Sequence, residues 1–169
     1  LADLGADVIK VERPGTGELV WRWARDGPRR TWANTQSNLA LALRELARLP
    51  GREHLRTEAV EAWRAAQTEE TGDALWIGNQ RNLATLLDEL GASGDVARLR
   101  EAADAWDALA ERLPETDVTG RAAAVESRGI ALQNAAYYAP GGDEAALGAA
   151  MDAYRSALSG YDRAKSPED

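Results

Sequence analysis

The sequence contains no cysteine and a single histidine, His54. Without cysteine the chain can form no disulfide framework, no thiolate zinc site and no cysteine nucleophile. One histidine cannot supply a metal site built from several imidazoles. Long apolar runs are also missing, since no stretch approaches the roughly 20 residues that cross a bilayer, and the start lacks the basic and apolar regions of a signal peptide. We therefore expect a soluble, cytoplasmic protein without a cofactor or a metal.

Phenylalanine is absent as well, whereas the 169 residues include 34 alanines and 20 leucines. This composition favours closely packed helices over a β-sandwich. Apolar residues make up 44% of the chain, which is enough for the core of one domain. The net charge of −8, with no basic block, argues against nucleic acid or an anionic membrane as a partner.

A nine-residue segment that begins at Trp32 recurs 44 residues later, beginning at Trp76. The two copies read WANTQSNLA and WIGNQRNLA, with Trp, Gln, Asn, Leu and Ala in the same places. A second block, Ala-x-x-Ala-aromatic, occurs three times and ends at Trp63, Trp106 and Tyr154, which are 43 and 48 residues apart. A period in this range is the signature of a repeat architecture.

A third copy of the first block is weaker. We align Arg128-Gly129-Ile130-Ala131 with Arg81-Asn82-Leu83-Ala84, and Gly142-Asp143 with Gly94-Asp95. Apolar residues within the blocks recur at helical spacings, and clusters of Pro and Gly separate the blocks. The sequence therefore predicts three units, at about residues 30–73, 74–118 and 119–164. The six expected helices span about 30–49, 53–69, 74–90, 96–113, 119–138 and 144–164.

This pattern resembles tetratricopeptide repeats, in the longer-period form common in bacterial arrays, over about residues 30–164. The resemblance implies an all-α, right-handed solenoid of three helix-turn-helix units. In such an array the first helix of each unit lines a concave face that binds peptides or other proteins. Carried over position by position, the peptide-binding residues would be Asn34, Asn38, Arg44, Arg81, Asn82, Thr85 and Arg128, with Ser37 and Asp88 beside them.

These residue types have both a binding and a structural interpretation. The amides of Asn38 and Asn82 offer donors and an acceptor to an extended peptide backbone, or to a neighbouring helix. Arg81 and Arg128 can hold a carboxylate of a ligand, or pair with acidic residues of this chain. Four tryptophans at repeated positions are expected in the core, namely Trp32, Trp63, Trp76 and Trp106.

The first 17 residues, LADLGADVIKVERPGTG, do not belong to the repeat. They resemble the N-terminal motif of the class III CoA-transferases, the formyl-CoA and carnitine type. In that family the motif contains a short apolar strand that helps to form the CoA-binding fold, but nothing further along this chain resembles the catalytic region. We therefore expect residues 1–18 to be an extended or frayed tail, residues 19–29 to connect it to the repeats, and residues 30–169 to form the repeat domain.

The leading interpretation of function is a non-enzymatic scaffold that binds a protein or peptide through the concave face. His54, at the start of a helix, shows no sign of a nucleophilic triad, and the carboxylate pairs fall on polar faces, so we expect no enzyme activity. A second interpretation is a sensor or oligomerisation segment of a larger signalling protein. The last helix then offers a homodimer stripe, formed by Leu147, Met151, Tyr154, Leu158 and Tyr161. A weaker alternative is a CoA-transferase fragment without its catalytic region.

Overall fold

The computed structural model describes residues 17–68 and 72–165, with side chains from residue 31 onward. Residues 1–16, which hold most of the tail predicted for residues 1–18 and nearly all of the CoA-transferase resemblance, lie outside these residues, whereas Gly17 and Glu18 begin the first helix. The described part of the chain contains α-helices and no strand. The six helices are α1 Gly17–Leu46, α2 Leu55–Gln67, α3 Asp73–Gly91, α4 Val96–Arg112, α5 Val118–Tyr138 and α6 Glu144–Lys165.

Each helix packs against the next one along the chain, from α1 on α2 to α5 on α6. The all-α class predicted from the composition is confirmed, and α2 to α6 lie within two residues of their expected bounds. Among the helices described here, none has an apolar stretch long enough to cross a bilayer.

The first helix differs from the expectation, because α1 begins at Gly17 rather than near residue 30. Residues 19–29, expected as a connecting segment, therefore belong to a helix of 30 residues. The Gly27-Pro28 pair is a common signal for a helix boundary. However, a proline inside a helix removes only one backbone hydrogen bond and can kink the helix without ending it.

Two tryptophans form the centre of the core. Trp63 on α2 is fully buried and Trp106 on α4 nearly so, which confirms the core position predicted for both. The alanines that precede each of them by one to four residues in the repeated block are buried too, namely Ala59, Ala62, Ala102, Ala103 and Ala105. Short side chains allow neighbouring helices to approach closely, and the indole ring fills the space beside them.

The repeated Gly-Asp pairs begin helices α4 and α6. Gly94 and Gly142 have φ angles of +100° and +81°, a region that L side chains rarely adopt. The carboxylates of Asp95 and Asp143 each accept a hydrogen bond from the backbone N–H three residues on, at 3.1 and 3.0 Å. This helix-capping bond, followed by the hydrogen bond from Arg100, lowers the pKa of Asp143. The repeated pair thus has the same structural role in both places.

Small residues bring α5 and α6 close together. The buried positions of α6 are all alanine or glycine, namely Ala146, Ala150, Ala153, Ala157 and Gly160. A methyl group added at Gly160 would lie 2.8 Å from the Cβ atom of Ala122, and one at Gly129 would lie 2.9 Å from the ring of Tyr154. Neither position has room for a side chain.

Candidate functional site

The residues predicted to bind a peptide lie on α1, α3 and α5. Those on α1 and α3 belong to two helices that are joined directly, because Arg44 of α1 donates a hydrogen bond to the carboxylate of Glu89 on α3. We call their surface the α1–α3 polar face. It consists of Asn34, Asn38, Arg44, Arg81, Asn82 and Thr85.

Three side chains of this face are exposed and have no partner in the part of the chain that the structure describes. Asn34, Asn38 and Arg81 are exposed to solvent, and their side chains make no hydrogen bond or ion pair with residues 31–68 or 72–165. The guanidinium group of Arg81 can therefore present its donors to a ligand. Asn82 is half-buried, and its amide is likewise unpaired within these ranges.

Arginines 44 and 128 differ from Arg81, because both pair with carboxylates of this chain. Arg44 pairs with Glu89, and its Nε atom is buried without a partner among the described residues. The Nε atom of Arg128 lies 3.4 Å from a carboxylate oxygen of Asp107 on α4. A ligand carboxylate would have to displace these partners, so Arg81 is the arginine most open to one.

Two hydroxyl groups near this face bond to their own helices. Thr85 donates to the carbonyl oxygen of Arg81 at 2.8 Å, which leaves its oxygen able to accept a further bond. Ser37 donates to the carbonyl oxygen of Ala33 at 2.9 Å and is buried. Ser37 thus lies beneath the surface, whereas Thr85 contributes to it.

Asp88 is a half-buried carboxylate at the edge of the same face. The indole nitrogen of Trp106 donates to its Oδ2 atom at 2.7 Å, while its Oδ1 atom is buried without a partner among the described residues. Burial raises the pKa of Asp88, although the hydrogen bond from Trp106 acts in the opposite direction. The sequence indicated this residue as a surface position and gave no sign of its contact with the core.

The third unit is displaced by one residue from the alignment expected from the sequence. That alignment placed Ile130 at the position of Leu83, yet Ile130 is 46% exposed and Leu83 only 5%. A displacement of 48 residues places the fully buried Ala131 there instead, and equals the displacement of the second block. Arg128 then takes the place of Gln80, and both side chains contact α4. Arg128 is therefore no counterpart of Arg81.

Gln80 is a structural residue that the sequence reasoning did not single out. Its side-chain amide donates to the carbonyl oxygen of Ala105 on α4 at 2.8 Å and accepts a hydrogen bond from Gln67 on α2. The side chain is buried and joins three consecutive helices. The signal was present in the sequence, since this glutamine is identical in both copies of the nine-residue segment.

Two tryptophans open the copies of the repeated segment, and the core position predicted for Trp32 is wrong. Trp32 is 44% exposed, whereas Trp76 is partly buried beneath the guanidinium group of Arg112, which lies 4.8 Å from its ring centre. The reason lies in the neighbours, because α3 packs between α2 and α4, while α1 packs chiefly on α2.

The apolar stripe predicted on α6 divides into two parts. Leu147, Met151 and Leu158 are exposed. The hydroxyl groups of Tyr154 and Tyr161 instead donate to acceptors on α5, at 2.7 and 2.6 Å. Only the three aliphatic side chains are therefore available for a partner.

An open groove of about 590 Å³ lies between α4, α5 and α6, away from the polar face. Charges of both signs line it, including Glu111, Glu115, Arg121 and Arg163. Within the described ranges, no group of three or more acidic or histidine side chains is placed to hold a metal ion.

The chain was compared with protein-family models, with curated proteins and with solved structures. None of the three comparisons found a match.

Proposed function

We propose that this chain is a non-enzymatic scaffold of the tetratricopeptide type that binds a peptide or protein segment on the α1–α3 polar face. The observation that carries the proposal is the exposed guanidinium group of Arg81, which has no partner within the described residues. The 44-residue repeat and the packing of each helix on the next support the solenoid arrangement.

The chemistry of the face suits an extended peptide that carries a carboxylate. The amides of Asn38 and Asn82 can each donate to and accept from a peptide backbone. Arg81 would bind the carboxylate of an acidic side chain or of a chain terminus with two parallel hydrogen bonds. Thr85, one helical turn from Arg81, adds an acceptor.

A peptide array tests this proposal. The full chain is applied to peptides with free or amidated C-termini and with acidic or neutral side chains. We expect binding to peptides with a carboxylate, and we expect Arg81→Ala to weaken it at least tenfold, because charge-assisted hydrogen bonds contribute about 1.5–3 kcal/mol.

The matched control is Arg155→Ala, which removes an exposed arginine from α6 whose one partner among the described residues is Asp152 of its own helix. It should bind as the unaltered chain does. Equal binding by the unaltered chain, by Arg81→Ala and by an Asn38→Ala, Asn82→Ala double variant would refute the proposal.

A further inference from the structure

Two apolar faces at opposite ends of the helix series are exposed. The first, called the α1 outer face, consists of Trp32, Leu39 and Leu46. The second, called the α6 outer face, consists of Leu147, Met151 and Leu158. Single exposed leucines are common on protein surfaces, whereas contiguous exposed apolar patches are typical of interaction sites.

The α1 outer face corresponds to a surface that is covered in α3. At the displacement of 44 residues, Leu39 corresponds to Leu83, and the exposed fraction falls from 48% to 5%. Trp32 and Leu46 correspond to Trp76 and Leu90, which are partly buried. Helix α3 follows α2 and packs against it. The α1 outer face therefore resembles the surface of α3 on which α2 packs.

The α6 outer face corresponds to a surface that is covered in α4. At the displacement of 48 residues its three members correspond to Leu99, Ala103 and Ala110, all of which are buried. Helix α4 packs between α3 and α5, whereas α6 packs on α5. The α6 outer face therefore resembles the surface of α4 on which α5 packs.

We propose that the α6 outer face of one copy of this chain packs against the α1 outer face of the next copy, head to tail. The contact would continue the one that the chain already makes twice, where α3 packs on α2 and α5 packs on α4. The faces also match in length, since Trp32 to Leu46 spans about 21 Å of helix and Leu147 to Leu158 about 17 Å. The occupant of each face is therefore the opposite face of a second copy.

This arrangement joins two different surfaces, so an open oligomer of any length keeps one free face at each end. Association should accordingly proceed beyond a dimer, unless the rotation between copies closes a ring. A symmetric pair of α6 helices would stop at a dimer and would leave the α1 outer face exposed. The inference does not depend on peptide binding by the polar face.

Sedimentation velocity and light scattering of the full chain at rising concentration provide the test. We expect the mass of the unaltered chain to rise beyond that of a dimer, or to reach that of a closed ring. Leu39→Glu on α1 and Leu158→Glu on α6 each place a charge in one apolar face and should raise the dissociation constant at least about tenfold. Because both side chains are exposed, the helical content of each variant should equal that of the unaltered chain.

An equimolar mixture of the two variants is the decisive sample. The intact α6 face of Leu39→Glu can pack on the intact α1 face of Leu158→Glu, so the mixture should form dimers and nothing larger. Leu41→Glu and Ala145→Glu serve as controls, because both residues are exposed on the same two helices but outside the two faces, and they should associate normally.

Three results would overturn the proposal. The first is an unaltered chain that stays monomeric at every concentration. The second is a loss of association in Leu158→Glu but not in Leu39→Glu, which would indicate a symmetric α6 pair. The third is a mixture of the two variants that remains monomeric.

Discussion

The close contact between α5 and α6 predicts that a methyl group added at Gly160 meets a steric cost that lowers the free energy of unfolding. The same methyl group at Gly148 should meet no such cost. Both glycines lie on α6. A Cβ atom at Gly148 meets nothing within 4 Å, whereas one at Gly160 would lie 2.8 Å from the Cβ atom of Ala122. That atom is attached to the backbone of α5, so relief requires the two helices to separate.

The magnitude follows from two opposing effects. Replacing a helical glycine by alanine stabilises a protein by about 0.5–1 kcal/mol, because less backbone entropy is lost on folding. Adding a methyl group to a tightly packed contact destabilises it by about 1–3 kcal/mol. Gly148→Ala should therefore be stabilising, and Gly160→Ala should range from neutral to destabilising by about 2.5 kcal/mol. Since both variants share the entropy term, their difference of about 1–3 kcal/mol isolates the steric cost.

Urea unfolding, followed by circular dichroism, measures this difference. With a slope of about 2 kcal/mol per molar urea, the two midpoints should differ by roughly 0.5–1.5 M. Adding Ala122→Gly to Gly160→Ala moves the methyl group across the contact, and a double-mutant cycle should show a favourable coupling of at least about 1 kcal/mol. Equal midpoints for Gly148→Ala and Gly160→Ala, or additive effects in the cycle, would refute the close approach of α5 and α6.

Two further predictions concern the core and its edge. Burial raises the pKa of Asp88, so the folded protein binds this proton more tightly than the unfolded chain does, and the ionised carboxylate weakens folding at neutral pH. Asp88→Asn keeps an oxygen that can accept from Trp106, and it should raise the urea midpoint at pH 7. The gain in stability should shrink as the pH falls through the raised pKa of Asp88 toward the ordinary value of 3.8. A gain that is constant with pH would contradict this prediction. Trp63→Ala should lower the free energy of unfolding by about 3–5 kcal/mol, because the ring is fully buried. Trp32→Ala, measured at concentrations where the chain is monomeric, should lower it by less than about 1 kcal/mol, and equal losses for both would contradict the placement of Trp32 at the surface.

The number of helices and most of their bounds follow from the sequence, because apolar spacing and the Gly and Pro clusters are local signals. The start of α1 does not follow, because a Gly-Pro pair is compatible both with a boundary and with a helix that continues through it. The register of the third unit was obscured for a different reason. Ile130 resembles Leu83 in type, and only burial shows that Ala131 takes its place.

The candidate site follows from the sequence in part. The polar character of Asn38, Arg81 and Asn82 is a property of the residues themselves, and the structure leaves these three side chains unpaired among the described residues. The pairing of Arg44 with Glu89 and the contact of Asp88 with Trp106 join residues far apart in the chain. Such pairs depend on how helices pack, and helix packing cannot be derived from the spacing within one helix.

The exposure of Trp32 shows why similar residues behave differently in a repeated fold. The segments that begin at Trp32 and Trp76 are nearly alike, so their own residues favour the same burial in both. What differs is the neighbour, since α3 has α2 before it and α1 has no counterpart of α2 in the described chain. The burial of a repeated residue is thus a property of its position in the series of helices. The same reasoning explains why Leu158 is 62% exposed while Ala110 is buried, and why a second copy of this chain is the partner that would restore both missing contacts at once.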